Sequence, residues 1–527
     1  MSIYSAQSDV LPTLDQLIHH PPASLLLTAG AGVGLAGIAA LNLRNGERRS
    51  SAGGFAMGRE LRPLTAKAQL KDAMKLRPSL AEMSRRDRRR LPPEAYALRL
   101  GTVQGTKLPV FAAYKDIVSL ETPTGGGKSG FLGNVVAFAP GAAFAATTKL
   151  DLYQATYRYR QQRGDIHLLN PYGQGGLAST IRSSPIFGCE DPGTALEQAA
   201  VMVAAGGDNS DVSNGGHWLD MASKTLACYL HAAALGGHSM TEVWSWTQDQ
   251  EDRTAHKILT THPQAAGGWA KSLLDAQTDD IRHRSGVYQS IGRALRFMAH
   301  PELARVATPD EAHPEFDIDS YILRGTDTLY VVAEHYKGAP IAPYLAGLAS
   351  KIHARAKQLS TFRPMGRLDP PFTFCLDEMA LNTPVDIDAW AADSGGRGIC
   401  VVFASQSSNQ IDQRYGVLAG KSTRDATTAT LVLGGLKDAD YLEDLSRICG
   451  MVDERIPVPR RPGEPAPPPQ FRRRPTISPD EIRQLEQFHG LLLYRNVKPL
   501  IVKIRPYWEH PALNRFNAQL AAAKQGR

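Results

Sequence analysis

The run TPTGGGKSG at residues 122–130 constrains the fold of this chain more than any other stretch. A short β-prone run at residues 116–120 precedes it, and apolar residues with helical spacing follow it at residues 130–138. Three consecutive glycines let backbone N–H groups turn inward toward a polyphosphate. A glycine-rich loop that leaves a strand and opens a helix with Lys-Ser predicts a phosphate-binding loop in an α/β fold.

Nucleotide contacts are expected along the whole cradle of this loop, which comprises Thr124, Gly125, Gly126, Gly127, Lys128, Ser129 and Gly130. Lys128 can reach the β- and γ-phosphates of ATP, and the Ser129 hydroxyl can ligate Mg²⁺. The usual pattern has glycine at the position of Thr122, where the chain turns out of the strand. The loop therefore predicts ATP and Mg²⁺ as cofactors, with one departure outside the cradle.

Two further strand ends supply groups that nucleotide hydrolysis needs. The apolar run 372–376 is followed by Asp377, which can hold Mg²⁺ through water, and by Glu378, which can orient and polarise the attacking water. A later apolar strand ends beside Gln406, whose amide could sense the γ-phosphate or position the water. We therefore expect Glu378 and Gln406 to be catalytic, and Asp377 to share the metal ion with the loop serine.

Arg397 lies just before the strand that ends at Gln406. In ring-shaped motors, an arginine of one subunit often stabilises charge on the phosphate that is transferred in the neighbouring subunit. We therefore expect a catalytic role for Arg397 in a neighbouring site. An ordinary surface arginine is the alternative.

The order of strand and helix patterns predicts the domain organisation. Both patterns alternate at residues 101–184 and 306–510, which predicts one α/β domain with a parallel sheet covered on both faces. Between these halves, residues 185–305 show only helical periodicity, so we expect an inserted all-α domain. A Pro- and Arg-rich mobile loop is expected at 456–479, and a C-terminal tail at 511–527.

An uncharged segment near the N-terminus predicts a membrane anchor. Residues 23–41 carry no charge and are enough to span about 30 Å of hydrocarbon as a helix. Three arginines follow, the first of them Arg44, and no Lys or Arg precedes the segment. The positive-inside rule predicts one transmembrane helix at about 23–43, within an N-terminal segment 1–43, and a cytoplasmic catalytic region at the inner (plasma) membrane. The alternative is a buried glycine-rich helix of a soluble domain.

Positive charge is concentrated in front of the loop. Residues 1–115 contain 17 Lys and Arg against 8 Asp and Glu, in a chain of formal net charge +7. This charge is therefore only weak evidence for nucleic-acid binding by the catalytic region. We expect residues 44–100 to form a basic juxtamembrane region. Its cluster Arg85–Arg90 could contact anionic lipid headgroups or DNA phosphates, or form a solvated helix face.

Several ordered motifs across roughly residues 100–510 resemble the TraG/TraD-like coupling proteins of conjugation and type IV secretion. Besides the loop, these motifs are ATTKLDLYQAT, GDIHLLNPYG, GHWLDMASKTLACYL, TDTLYVVAE, FTFCLDEMA, GRGICVVFASQS and TISPDEIRQLEQFHGLLLYRNVKPLIVKIRPYW. The chain departs from the family at Thr148-Lys149-Leu150-Asp151, which replaces the usual Asp-Pro-Lys-Gly. It also has one convincing N-terminal span where the family usually has two.

The resemblance implies a membrane-anchored, RecA-like P-loop ATPase with an all-α domain inserted between its nucleotide motifs. It further implies a homohexameric ring at the cytoplasmic face of a type IV secretion channel, which recruits a relaxase–DNA complex and drives its export. The expected cargo is DNA, single-stranded and relaxase-bound, or an effector protein. The expected partners are therefore DNA, the relaxase with accessory proteins, channel components and the membrane.

Three other functions share part of this pattern. An FtsK-like translocase of double-stranded DNA has the sheet and both nucleotide motifs but lacks the long helical insertion. A recruitment adaptor that binds nucleotide and translocates nothing would not need Glu378. A soluble helicase would not need the uncharged segment at 23–41.

Overall fold

The computed structural model describes residues 53–207, 215–334, 341–456 and 468–525. The predicted transmembrane helix at 23–43 lies outside these residues. Within the parts of the chain that are described, no helix is both long and apolar enough to cross a membrane.

Thirteen strands are found in the described residues, and eleven of them form one sheet. The strands are β1 (Ala97–Val103), β2 (Pro109–Ala113), β3 (Ile117–Glu121), β4 (Ala143–Thr147), β5 (Ile166–Leu169), β6 (Thr328–Val332), β7 (Phe372–Leu376), β8 (Ile399–Ser405), β9 (Ala429–Leu433), β10 (Met451–Ile456), β11 (Gln470–Pro475), β12 (His489–Tyr494) and β13 (Val497–Lys503). The sheet order is β2-β1-β13-β12-β9-β3-β8-β7-β4-β6-β5. The strands from β9 to β5 are parallel, and the other four add an antiparallel edge.

Helices connect and cover these strands. They are α1 (Ala66–Leu76), α2 (Pro78–Glu82), α3 (Arg85–Arg90), α4 (Lys128–Phe138), α5 (Asp151–Arg160), α6 (Pro192–Gly206), α7 (Gly215–Gly236), α8 (Met240–Gln248), α9 (Thr254–Thr261), α10 (Trp269–Thr278), α11 (Ile281–Leu295), α12 (Pro301–Ala307), α13 (Ile318–Arg324), α14 (Ala342–Thr361), α15 (Met379–Asn382), α16 (Ile387–Arg397), α17 (Ser408–Tyr415), α18 (Val417–Asp425), α19 (Ala439–Ile448), α20 (Pro479–Arg483) and α21 (Pro511–Gln525).

The central parallel strands are covered on both faces. Every residue of β3, β4, β6, β7 and β8 is buried, which explains their nearly continuous apolar sequences. Phe374 and Phe403 belong to a hydrophobic core shared with the helices inserted after β5. Cys375 and Val402, one position along each strand, belong to a second core that includes residues of α4. The alternation of side chains along each strand therefore separates the two cores.

The region between β5 and β6 is helical in the residues described. Helices α6 to α13 lie there, and their buried residues continue the core on one face of the sheet. Met202 of α6, Tyr229 of α7 and Ile291 of α11 are all in that core. The insertion therefore packs directly on the α/β domain.

Part of the expected juxtamembrane region packs on the sheet. Asp369 accepts hydrogen bonds from Arg77 Nε at 2.9 Å and from the backbone N–H and hydroxyl of Ser79 at 2.8 and 2.7 Å. The sheet itself begins at Ala97, before the expected boundary at 101. By contrast, α3 contains no buried residue, so its arginines lie on the surface.

The prediction of a mobile loop at 456–479 is wrong for the segment 470–475. This segment is β11, which pairs antiparallel with β10 along its whole length. Glu454 of β10 lies 3.1 Å from Arg472 Nη2 and 3.2 Å from Arg474 Nε. A neighbouring strand and two ion pairs stabilise an arginine-rich segment that has no local strand signal.

Candidate functional site

Four parallel strands end at the same edge of the sheet. β8 pairs with β3 on one side and β7 on the other, and β4 pairs with β7. The glycine-rich loop follows β3, Asp377 and Glu378 follow β7, and Gln406 follows β8. This strand order brings Lys128 to Glu378 although 250 positions separate them in the chain.

Two glycines give the loop its shape. Gly125 has a φ of 82° and Gly127 a φ of 110°, in the left-handed region that favours glycine. Gly127 is also the residue that caps α4, whose first residue is Lys128. The first-turn N–H groups of α4 therefore face the loop, in the arrangement that binds phosphate at helix N-termini.

Thr122 and Gly126 fit together at the turn out of β3. Thr122 is fully buried, and its N–H donates to Ser405 O of β8 at 3.2 Å. A Cβ at position 126 would lie 1.8 Å from Thr122 Oγ1. The structure thus explains how the loop accommodates threonine where the usual pattern has glycine. The Thr122 side chain fills the space that is left by the missing side chain of Gly126.

Lys128 forms ion pairs with both predicted carboxylates. Its Nζ lies 2.5 Å from Glu378 Oε1 and 3.0 Å from Asp377 Oδ1. The Gln406 amide donates to the same Glu378 oxygen at 2.5 Å, and the Thr124 hydroxyl donates to Gln406 Oε1 at 3.3 Å. One network therefore joins the loop to the ends of β7 and β8.

Glu378 is held in a left-handed backbone conformation, with a φ of 52° and a ψ of 46°. This conformation is uncommon for a residue with a side chain, and such strain is found often at functional sites. Glu378 is the residue that caps the short helix α15, so the chain turns sharply at the end of β7. The turn keeps its side chain close to Lys128 and Gln406.

Both carboxylates are buried, and burial changes the electrostatics of Asp377. Asp377 and Glu378 are only 7% and 8% exposed. Burial raises the pKa of Asp377, and the opposing effect of Lys128 does not cancel this increase. Within the described residues, Glu378 Oε2 is buried without a hydrogen-bond partner. A buried acceptor of this kind is available to a ligand or a water molecule.

The donor groups at this edge fit a nucleotide and a hard metal ion. A glycine cradle and a helix N-terminus suit phosphate, and the Ser129 hydroxyl and Asp377 carboxylate offer the oxygen ligands that Mg²⁺ prefers. Ser129 is the second residue of α4, and Asp377 directly follows β7. Thr147, at the end of β4, also donates to Asp377 Oδ2 at 3.4 Å.

Arg397 is not brought to this site within one chain. It is the last residue of α16 and precedes β8, so it lies at the amino end of the strands, opposite the loop. Its Nε lies 3.3 Å from Asp393 Oδ1, and its side chain is 33% exposed. Any contact with a transferred phosphate would therefore come from a second copy of the chain.

The C-terminal segment forms a wall of the site that the loop pattern did not predict. Gln487 Nε2 donates to Gly125 O at 3.3 Å, and Phe488 lies where a side chain at Gly127 would be. Asn134 of α4 donates to Arg505 O at 2.7 Å. In the sequence, the only sign of this contact is the presence of glycines at helical positions. Such glycines suggest that another segment packs closely, but they do not identify it.

The fold and the site together define a P-loop nucleotide-binding domain of the α/β class. The family model described as "TraM recognition site of TraD and TraG" matches residues 371–487. This match, together with the fold, confirms the resemblance to TraG/TraD-like coupling proteins. None of the curated proteins matches this chain by sequence.

Solved structures of the conjugative coupling protein TrwB share this fold. An unbound form of the bacterial protein TrwBdeltaN70 has a TM-score of 0.58 at 18% identity, covering 84% of this chain and 92% of that chain. TrwB in complex with ADP and Mg²⁺ has a TM-score of 0.53 at 19% identity, and TrwB with a non-hydrolysable ATP analogue has 0.53 at 18%. In each of these two comparisons, the matched region covers 74% of this chain and 85% of the TrwB chain.

Proposed function

We propose that this protein is an ATP-driven coupling protein, which recruits a relaxase–DNA or protein substrate to a type IV secretion channel and powers its translocation. The convergence of Lys128, Asp377, Glu378 and Gln406 is the observation that carries the proposal. A site that only binds nucleotide needs the loop and its lysine. The buried Glu378 and the amide that orients it are the additional groups that hydrolysis uses.

Each side chain has a distinct part in this proposal. Lys128 binds the β- and γ-phosphates, which draws its ammonium group away from Glu378. Glu378, still held by Gln406, then orients and polarises the attacking water and accepts its proton. Ser129 and Asp377 would hold Mg²⁺, which would supply positive charge to balance the negative charge that develops on the phosphate oxygens. Burial of both carboxylates strengthens these electrostatic interactions.

The similarity to coupling proteins supports a role in conjugation. TrwB is described as a conjugative and a plasmid coupling protein, and the matched family model is described as a recognition site for TraM. By analogy, we propose DNA, a relaxase and its accessory proteins, and secretion-channel components as partners. We also propose a homohexamer at the inner membrane, anchored through residues 23–43.

Hydrolysis by the purified full-length protein tests the enzymatic part. We expect ATPase activity that DNA stimulates, and a loss of about 100-fold or more in Glu378→Gln, because a positioned general base contributes at least this much. Lys128→Ala should lose nucleotide binding as well as turnover. Lys107→Ala, which changes an exposed lysine away from the site, is the matched control.

Two outcomes of this assay would refute the proposal. Wild-type protein that binds ATP without hydrolysing it would be a recruitment adaptor. Activity that only double-stranded DNA stimulates would favour an FtsK-like translocase, against which the helical region between β5 and β6 argues. In cells, transfer of a marked mobile element should be lost with Lys128→Ala and kept with Lys107→Ala.

A further inference from the structure

Strands β10 and β11 form a two-stranded antiparallel ribbon outside the main sheet. Their register places Glu454 opposite Arg472, and Arg455 opposite Phe471. Because side chains alternate along a strand, these two neighbouring pairs lie on opposite faces of the ribbon. The ribbon therefore has two faces of different composition.

The inner face is packed around Val452, and its charges are paired. Val452 lies on this face, and a Cβ at Gly54 would come within 2.4 Å of its Cγ1. Glu454 interacts with Arg472 on the opposite strand and with Arg474 beyond it, at 3.1 and 3.2 Å. These arginines are already neutralised in part by a carboxylate.

The outer face presents an aromatic ring between basic groups. Phe471 is 60% exposed, directly opposite Arg455, and two positions from Arg473 on its own strand. Among the described residues, neither Arg455 nor Arg473 forms an ion pair. Asp453 is opposite Arg473 and is the acidic group of this face. The exposed ring is therefore accessible to a ligand, and two arginines lie beside it.

We propose that this outer face binds single-stranded DNA. Phe471 stacks on a base, and Arg455 and Arg473 contact phosphates on either side of it. A ring flanked by positive charge is the combination that single-stranded nucleic acids bind, because every base has a π-face and every link a phosphate. The inference rests on DNA being the cargo in the proposed function, and it assigns the contact surface for that cargo.

Binding of a fluorescein-labelled oligothymidylate of about 20 nucleotides to the full-length protein, measured by anisotropy, tests this surface. We expect Phe471→Ala to weaken binding about 5-fold or more, the smallest effect typical of losing one stacked base. Arg455→Ala and Arg473→Ala should each lower the slope of log affinity against log salt by about 0.7. Asp453→Asn should strengthen binding, because it removes the acidic group from the same face.

Arg472→Ala is the matched control, since it removes an arginine from the same strand on the inner face. It should leave affinity unchanged. Equal effects of Arg472→Ala and Arg473→Ala, tighter binding of a duplex of the same length, or no effect of Phe471→Ala would each overturn the proposed surface. If wild-type protein still shows DNA-stimulated hydrolysis in that case, the proposed function stands without it. A wild-type protein that binds no DNA would refute DNA as the cargo.

Discussion

At the turn out of β3, Thr122 occupies the space that a side chain at position 126 would need. The ideal Cβ of residue 126 would lie 1.8 Å from Thr122 Oγ1 and 3.2 Å from Thr122 Cβ. Gly126 has an ordinary φ, unlike Gly125 and Gly127. Its requirement for glycine is therefore steric and depends mainly on Thr122.

We predict that Gly126→Ala abolishes measurable ATP binding and that Thr122→Gly in the same chain restores part of it. The second change removes the clashing hydroxyl and Cβ, and only Pro123 O, at 3.1 Å, stays close. Isothermal titration with ATP and Mg²⁺ measures both effects. Loss of binding that the second change does not relieve would show that position 126 matters for another reason.

Glu121 is the last residue of β3, directly before the loop, and it is fully buried. Burial raises its pKa to about 7, and the Tyr441 hydroxyl and the Arg424 guanidinium oppose this increase only in part. A carboxyl whose folded-state pKa is raised above the unfolded value favours the folded state when it is protonated. Stability is therefore lost as pH rises from about 4.5 to about 7, and the loss is constant above that range.

We predict that Glu121→Gln raises the melting temperature more at pH 8 than at pH 5, because the amide carries no charge to bury. A pKa increase from 4.5 to about 7 corresponds to about 3 kcal/mol at high pH. Thermal unfolding of both proteins at the two pH values measures the difference. The exposed Glu509→Gln controls for loss of a negative charge, and equal effects of Glu121→Gln at both pH values would contradict the prediction.

At the scale of elements, α4 depends on the C-terminal segment as much as on its own strand. Gly130 and Gly133 form a small-residue strip on α4, against which Pro506, Tyr507 and Trp508 pack. A Cβ at Gly133 would lie 2.3 Å from the Tyr507 ring. The position of the phosphate-binding helix is thus linked to residues far along the chain.

We predict that Gly133→Ala displaces the segment at 505–510 and increases its amide hydrogen exchange, although alanine is the better helix former. Gly292→Ala, in α11, is the matched control, because nothing lies within 4 Å of its added Cβ. That change should stabilise the protein by up to about 1 kcal/mol. Similar exchange at 505–510 in both variants would show that the aromatic segment adapts without moving.

Elements with strong local signals could be predicted from sequence. The buried strands β3, β4, β6, β7 and β8 read as apolar runs, and β12 and β13 as a pair near the C-terminus. The strand β11 could not, because its Arg-rich sequence has no apolar alternation and is stabilised by β10. Likewise, Arg77 gave no sign of its hydrogen bond to Asp369, since 292 positions separate them.

At the scale of the whole molecule, the site predicted from sequence divides into two parts. Lys128, Asp377, Glu378 and Gln406 meet because parallel strands end at one edge, a rule that sequence order can use. Arg397 lies at the other end of β8, so it cannot contact a phosphate that is bound at the loop of its own chain. Its environment instead suggests a surface that meets another copy.

An exposed apolar turn lies beside Arg397. Phe362 and Met365 are 85% and 62% exposed, and a Cβ at the neighbouring Gly366 would lie 3.9 Å from Arg397 Nη1. Arg367 and Leu368 also bond the backbone at the end of α16. Apolar side chains left in water around an arginine are typical of a subunit contact. In a closed ring of identical subunits, the exposed turn and Arg397 of each subunit would face the next subunit.

Mixing two inactive variants tests whether Arg397 acts in a neighbouring site. We predict that Arg397→Ala and Lys128→Ala are each inactive alone and that an equimolar mixture regains ATPase activity. A subunit with Lys128 intact receives Arg397 from its neighbour, so about a quarter of the sites in random rings are complete. A mixture that stays inactive would place Arg397 in its own subunit's chemistry or in folding. Full activity of Arg397→Ala alone would remove it from catalysis, and the exposed turn would then need another partner.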